Sequence, residues 1–368
     1  MDAEPRREPL RLGVVGTGYR AGLFLDLVAR VPHLLQVTGV LGRSRASAEA
    51  VVAGRGLRVA DDPAGLLATS PELVLVVVPA AQAAATVTDL VGRGAHVLTE
   101  TPPAPDLDGL RALWDVVGAS GRVQVAEQYL LFPHNAARLR VVRDGAVGGP
   151  TSVQVSSTQT YHATSMIRGF LGLGAEPVRV VASATTAPLA DPIARPGWTG
   201  DAQPHPLTTT VATFDVGDGR SALYDFTQTQ TRNPLRARRL VVRGSLGELV
   251  DDRVVRLADA TTVLTSSLER RQTGHRQDVQ GLDLDQIAFE GRVVFRNPFT
   301  GSRLSDEEIA LTLLLQRAGA WARGEGPGPY PLAEAAQDHL LGLAVDEAVR
   351  TGRPVTTTSE AWAGGLGG

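Results

Sequence analysis

The chain has 368 residues, enough at roughly 150 residues per domain for two domains. Hydrophobic residues make up 43% and charged residues 20%, a composition able to bury a core, and a net charge of −3 leaves no basic footprint for nucleic acid. There is no cysteine and all 36 basic residues are arginine, which excludes disulfides, thiolate nucleophiles, cysteine metal sites, Schiff-base lysines and phosphate-loop lysines.

Met1 to Pro9 is charged and has no apolar segment followed by a cleavage site. The longest apolar run, Leu73 to Val78, is six residues, against roughly 20 for a membrane span. A cytoplasmic protein with no membrane partner is expected. Along the first half, strands and helices alternate. Leu12 to Val15 reads as a buried strand, Tyr19 to Arg30 as a helix, Leu35 to Leu41 as a strand and Arg45 to Ala53 as a helix. Leu73 to Val78, His96 to Thr99 and Val123 to Ala126 read as strands; Ala81 to Arg93, Leu107 to Val117 and Pro133 to Arg143 read as helices. Repeated βα units with short connections predict a doubly wound parallel sheet.

The pattern changes near Gly148-Gly149-Pro150. Thr151 to Ser157, Val178 to Thr185, Thr208 to Asp215, Ser221 to Thr227, Arg239 to Val242 and Glu248 to Leu257 read as strands, with a hairpin turn at Gly217-Asp218-Gly219. They predict an α+β domain with one large, open, mostly antiparallel sheet. Pro188 to Pro206, with Trp198, Asp201 and His205, and Glu269 to Arg296, with His275, Arg276 and Asp278, read as long loops suited to sugar binding or to oligomer contacts. Helices return at Ser305 to Arg323, where Ser305 and Glu308 form a capping box, and at Leu332 to Arg350. The expected domains are 10–127, 128–355 and a frayed tail over 356–368.

Gly16-Thr17-Gly18-Tyr19-Arg20-Ala21 fits G-x-G-x-x-G/A between the first strand and the first helix. The first glycine makes the tight turn, the second admits a pyrophosphate to the backbone, and small Ala21 lets helix pack on strand. The second strand runs into Gly42-Arg43-Ser44-Arg45 with no acid for a ribose 2′-hydroxyl. Gly42 makes room, Arg43 or Arg45 can pair with a phosphate and Ser44 can donate to it, which favours NADP over NAD unless the arginines are plain surface residues.

Gly94 to Pro102, GAHVLTETP, resembles the "GKHVLCEKP" segment of the Gfo/Idh/MocA oxidoreductases. Pro79 after the fourth strand, Phe132-Pro133, Arg239 to Gly247 and Pro331 to Val355 match that family's segments in order. The resemblance implies a Rossmann domain followed by an open-sheet domain that often mediates homo-oligomerisation. It also implies nicotinamide-linked chemistry on a sugar, polyol or related small molecule. It places Val78, Pro79, Glu100 and Pro102 by the cofactor. Thr101 stands where the family has a lysine near the reacting hydroxyl, so a hydrogen bond replaces a charge.

The family's D-x-G-x-H-x-x-D pattern falls on Thr158 to Ser165, keeping His162 and replacing the glycine and both aspartates. His162 is the leading proton donor or acceptor, unless it merely caps a helix over Ala163 to Leu171. Tyr161 and Tyr129 are further acids. Glu127 and Gln128 are candidates for a sugar hydroxyl, Trp198 for a stacking face, and Arg168 for a substrate anion or an interdomain salt bridge. Seven scattered histidines make no metal pattern. Three functions stay open: an NADP- or NAD-dependent oxidoreductase, a redox-neutral glycoside-cleaving enzyme with tightly held NAD, and a non-catalytic cofactor-binding protein.

Overall fold

A computed structural model describes residues 8–274 and 279–366, so His275, Arg276 and Asp278 lie outside the described residues. The chain divides into two compact units. The first contains residues 1–131 and 302–336, the second 132–301 and 337–368.

In the first unit β1 (Leu10–Val15), α1 (Tyr19–Arg30), β2 (Leu35–Leu41), α2 (Arg45–Val52), β3 (Val59–Ala60), α3 (Pro63–Leu67), β4 (Leu73–Val76), α4 (Ala80–Gly92), β5 (Val97–Thr99), α5 (Leu107–Val117) and β6 (Val123–Val125) follow in order. Their strands form one parallel sheet, β3-β2-β1-β4-β5-β6. β4 is buried along its whole length, because in a parallel sheet both faces are covered by crossover helices. Val74, Val76, Val97 and Val125 pack with Val87, Leu90 and Leu113 from α4 and α5. The short β3 and α3 escape the sequence reading; two residues carry no periodicity, and α3 is one capped turn with Asp62 accepting from the Gly65 amide at 2.6 Å.

The second unit begins with α6 (Pro133–Arg143), β7 (Pro150–Ser156), α7 (Thr160–Leu171), β8 (Arg179–Ala190), β9 (Ile193–Ala194), β10 (Gly197–Trp198), β11 (Pro204–Asp215) and β12 (Ser221–Thr227). It continues with β13 (Arg239–Gly244), β14 (Gly247–Val250), β15 (Arg253–Asp259), β16 (Thr262–Thr273), β17 (Asp283–Phe289) and β18 (Arg292–Arg296). The remaining elements are α8 (Asp306–Ala322) in the first unit, α9 (Leu332–Thr351), and β19 (Val355–Thr356) in the second. Among the described residues eleven strands form one sheet, β18-β17-β16-β15-β14-β13-β7-β12-β11-β8-β19, in which only β7 and β12 pair in parallel. The architecture is the expected one: a Rossmann-type parallel sheet and a large, mostly antiparallel sheet.

Three expectations are corrected. The two supposed long loops are largely strand. β8 and β11 pair through Ala190 and Pro204, and β16 to β18 occupy most of 269–296. The first of the two shows no alternation because Thr186 to Pro188 is exposed on both faces. Glu248 to Leu257 is two strands folded at Asp251-Asp252. The tail is tied down, since Val355 pairs with Val180 and fully buried Trp362 donates its indole N–H to Gln337 at 3.0 Å.

Candidate functional site

The loop after β1 is pinned from both sides: the Gly16 amide donates to Leu41 O, and the Val77 amide to Val15 O, each at 2.8 Å. Gly16 has φ +128°, and a side chain there would collide with the Val77 carbonyl. Gly18 caps α1 with an ordinary φ of −79°, and an added Cβ would meet no atom within 4 Å. The protein's own packing therefore does not require glycine at 18; its absence of a side chain keeps open the space before the α1 N-terminus. Gly42 is needed for packing, since a Cβ would lie 2.8 Å from both Ser47 Oγ and Thr17 Cγ2.

These residues border a cavity of about 680 Å³. Gly16, Thr17, Gly18, Gly42, Arg43, Val78 and Pro79 line it, joined by Ser47, Asp61 and Gln82, which the sequence reading missed. A crevice at the carboxyl ends of parallel strands, ending on a helix N-terminus, suits a dinucleotide. Asp61 is held by Arg45, Nη1 to Oδ1 at 2.5 Å, whereas Arg43 has no ion-pair partner among the described residues. Ser44 does not line the cavity; its hydroxyl caps α2 by accepting from the Ser47 amide at 3.2 Å.

Tyr19 is exposed and Ala21 fully buried, and neither borders the cavity. Arg20 does not border it either. Its Nε donates to Glu100 Oε1 at 2.6 Å and its Nη1 to Glu307 Oε1 at 2.9 Å. With the Gln128 amide oriented to satisfy both ends, Gln128 donates to Ala126 O and accepts from Arg20 Nη2 at 3.1 Å. Burial opposes the Arg20 charge, but Glu100 and Glu307 more than offset it, holding the guanidinium above its ordinary pKa. The second Glu100 oxygen accepts from the Thr101 amide at 3.2 Å, and Thr101-Pro102 is a cis peptide. Glu127 is buried and accepts from the Tyr129 amide at 2.8 Å, in a single 3-10 turn. Neither Glu127 nor Gln128 is thus a solvated loop residue.

In the second unit α7 begins at Thr160, three residues earlier than the sequence suggested, so His162 lies within its first turn. Tyr161 meets it edge-on with ring centroids 5.5 Å apart, and also faces His339 of α9 at 5.7 Å. Thr160 donates to the Tyr224 hydroxyl at 3.2 Å, and burial holds that phenol well above its ordinary pKa. Arg168 is neither exposed for a ligand nor an interdomain bridge: it is 4% exposed and pairs with fully buried Asp338 at 2.8 Å inside one unit. Trp198 is 76% exposed in the β9–β10 ribbon.

Residues 10–128 match the family model GFO_IDH_MocA, an oxidoreductase family with an NAD-binding Rossmann fold. Among curated proteins the chain finds no match. Among solved structures it is similar to a myo-inositol dehydrogenase from Corynebacterium glutamicum, at 16% identity and TM-score 0.65 over 96% of this chain and 100% of that one. It is also similar to a UDP-N-acetylglucosamine 3-dehydrogenase from Acidithiobacillus ferrooxidans, at 17% and 0.63 over 93% and 98%. A levoglucosan dehydrogenase in complex with NADH and levoglucosan matches at 16% and 0.66 over 95% and 99%. Residues 10–128 thus match the NAD-binding Rossmann domain of the Gfo/Idh/MocA oxidoreductases, and the chain as a whole has the fold of the dehydrogenases it resembles.

Proposed function

We propose that the protein is an NADP-preferring oxidoreductase acting on a hydroxyl or carbonyl group of a sugar, polyol or glycoside. The observation that carries the reading is the cavity on the glycine loop: Gly18 leaves the α1 N-terminus open, and Arg43 lines the cavity with no ion-pair partner among the described residues. The substrate class comes from the solved relatives, which include inositol, amino-sugar nucleotide and levoglucosan dehydrogenases.

Bound NADP would supply the hydride donor or acceptor. The chain's own residues do the rest. The backbone amides at the start of α1 hold phosphate, and Arg43 with Ser47 takes the 2′-phosphate. His162 gives or takes the proton of the substrate oxygen, the change a histidine makes near neutral pH. The Thr101 hydroxyl donates one hydrogen bond to that oxygen, and Tyr161 and Tyr129 are the alternative acids. Val181 and Val211, exposed on one face of the large sheet, belong to our proposed self-association surface.

Fluorescence titration with NADPH and NADH, after assay for co-purified nucleotide, tests the reading. Saturable binding with NADPH tighter by about tenfold, roughly 1.4 kcal/mol, is expected. Nucleotide that is already bound and never exchanges would move the assignment to redox-neutral glycoside cleavage. Binding of neither nucleotide would remove the oxidoreductase.

A further inference from the structure

Arg20 occupies the second position of α1, where the helix dipole disfavours a cation. Something negative must compensate. A phosphate could do so, and the glycine loop beside Arg20 makes that the obvious expectation. The side chain is already committed elsewhere. Three of its nitrogens reach Glu100, Glu307 and Gln128, which stand at the end of β5, on the first turn of α8 and just after β6. The Arg20 and Glu100 side chains are only 25% and 15% exposed, so the pair is screened less than a surface bridge. Glu100 is in turn tied to the Thr101 amide.

We propose that Arg20, with Glu307 and Gln128, is a clamp that positions Glu100 and Thr101 and couples their loop to the N-terminus of α1, rather than a ligand for the nucleotide phosphates. Glu307, which lies outside every recognisable motif, is then a positioning residue drawn from 287 positions away in sequence. Guanidinium geometry is essential, because a fork reaches several acceptors at once whereas an ammonium is a point donor. The inference rests on the nucleotide-binding reading above only for its coupling arm.

The test compares Arg20→Gln, Arg20→Lys, Glu307→Gln and the Arg20→Gln/Glu307→Gln double variant in the full chain. Each is titrated with NADPH and followed by hydrogen exchange of residues 97–104, with and without NADPH. The clamp predicts NADPH dissociation constants within about twofold of the parent. It predicts exchange around Thr101 faster by about tenfold in every variant, with the double no worse than a single because the groups act as a unit. NADPH protects this segment in the parent and not in the variants, although they bind it, a difference that a purely structural loosening would not produce.

A phosphate ligand predicts the reverse. Arg20→Gln would weaken NADPH by tenfold or more, and Glu307→Gln, by freeing the cation, would tighten it; either result overturns the proposal. Unchanged exchange at 97–104 overturns it too. If the parent binds no nucleotide, the proposed function fails, while the exchange difference without NADPH still decides whether the clamp holds the loop.

Discussion

Arg43 and Arg45 stand two residues apart after β2, and their surroundings separate them. Arg45 is bound to Asp61 and Glu49, while Arg43 lines the cavity with no ion-pair partner among the described residues. Arg43→Ala should therefore raise the NADPH dissociation constant by about tenfold, the lower range of a charge-assisted bond, and leave NADH unchanged. Equal titration curves for parent and variant would return Arg43 to the solvent. Arg168 differs again. Its charge is compensated inside the core by Asp338, so Arg168→Met strands a buried carboxylate and should lower stability by about 3–5 kcal/mol, read from urea midpoints. Arg168→Met/Asp338→Leu should recover most of that loss. The sequence could not distinguish these arginines, because the acids that commit Arg45 and Arg168 lie 16 and 170 residues away.

At the scale of elements, what could be read in advance depended on periodicity. The ends of α1, β2, α5 and α6 agree with the sequence reading residue for residue, because caps, prolines and amphipathic spacing are local signals. β8 and β11 extend beyond their predicted ranges into segments that are largely exposed and lack alternation, and β16 was not read as a strand at all because most of its residues are exposed and only Leu268 is buried. The glycine loop was equally legible, whereas Ser47, Asp61, Gln82 and Glu307 join the site only through tertiary structure. Another such tie links the approach to β4 with the end of α8. Arg323 Nε donates to Glu72 Oε1 at 2.7 Å, and chiefly this bond holds the Glu72 carboxyl below its ordinary pKa. A depressed folded-state pKa contributes stability in full above the unfolded value, near 4.5, and loses it as pH falls through the folded value. Arg323→Gln should thus lower the thermal midpoint at pH 7 and converge on the parent as pH falls through the depressed folded value. A gap that stayed constant from pH 7 to pH 3 would show that packing, not charge, is lost.

For the molecule as a whole, the first unit is not a contiguous stretch of sequence. Residues 302–336 return to it, although the family match ends at residue 128. The return segment covers the edge of the parallel sheet: the Val125 amide donates to Tyr330 O at 2.9 Å, and Gln124 bridges to Pro331 and accepts from the Tyr330 amide. A Cβ at Gly328 would lie 2.1 Å from the Gln124 amide carbon, and one at Gly319 2.8 Å from Leu10 Cδ1 of β1. Ile309, Leu311, Leu314, Leu315 and Leu332 are all at most 5% exposed. At roughly 1.5–3 kcal/mol for each buried side chain, their removal approaches the 5–15 kcal/mol by which a whole domain is stable. An uncovered β6 would also present an open edge for aggregation. Residues 8–131 expressed alone should accordingly show no cooperative thermal transition and no NADPH binding. The same segment joined to 302–336 through a flexible linker should recover both, with a dissociation constant within about tenfold of the intact chain. Cooperative unfolding of 8–131 by itself would show that the matched segment is self-sufficient and that the return of α8 only decorates it.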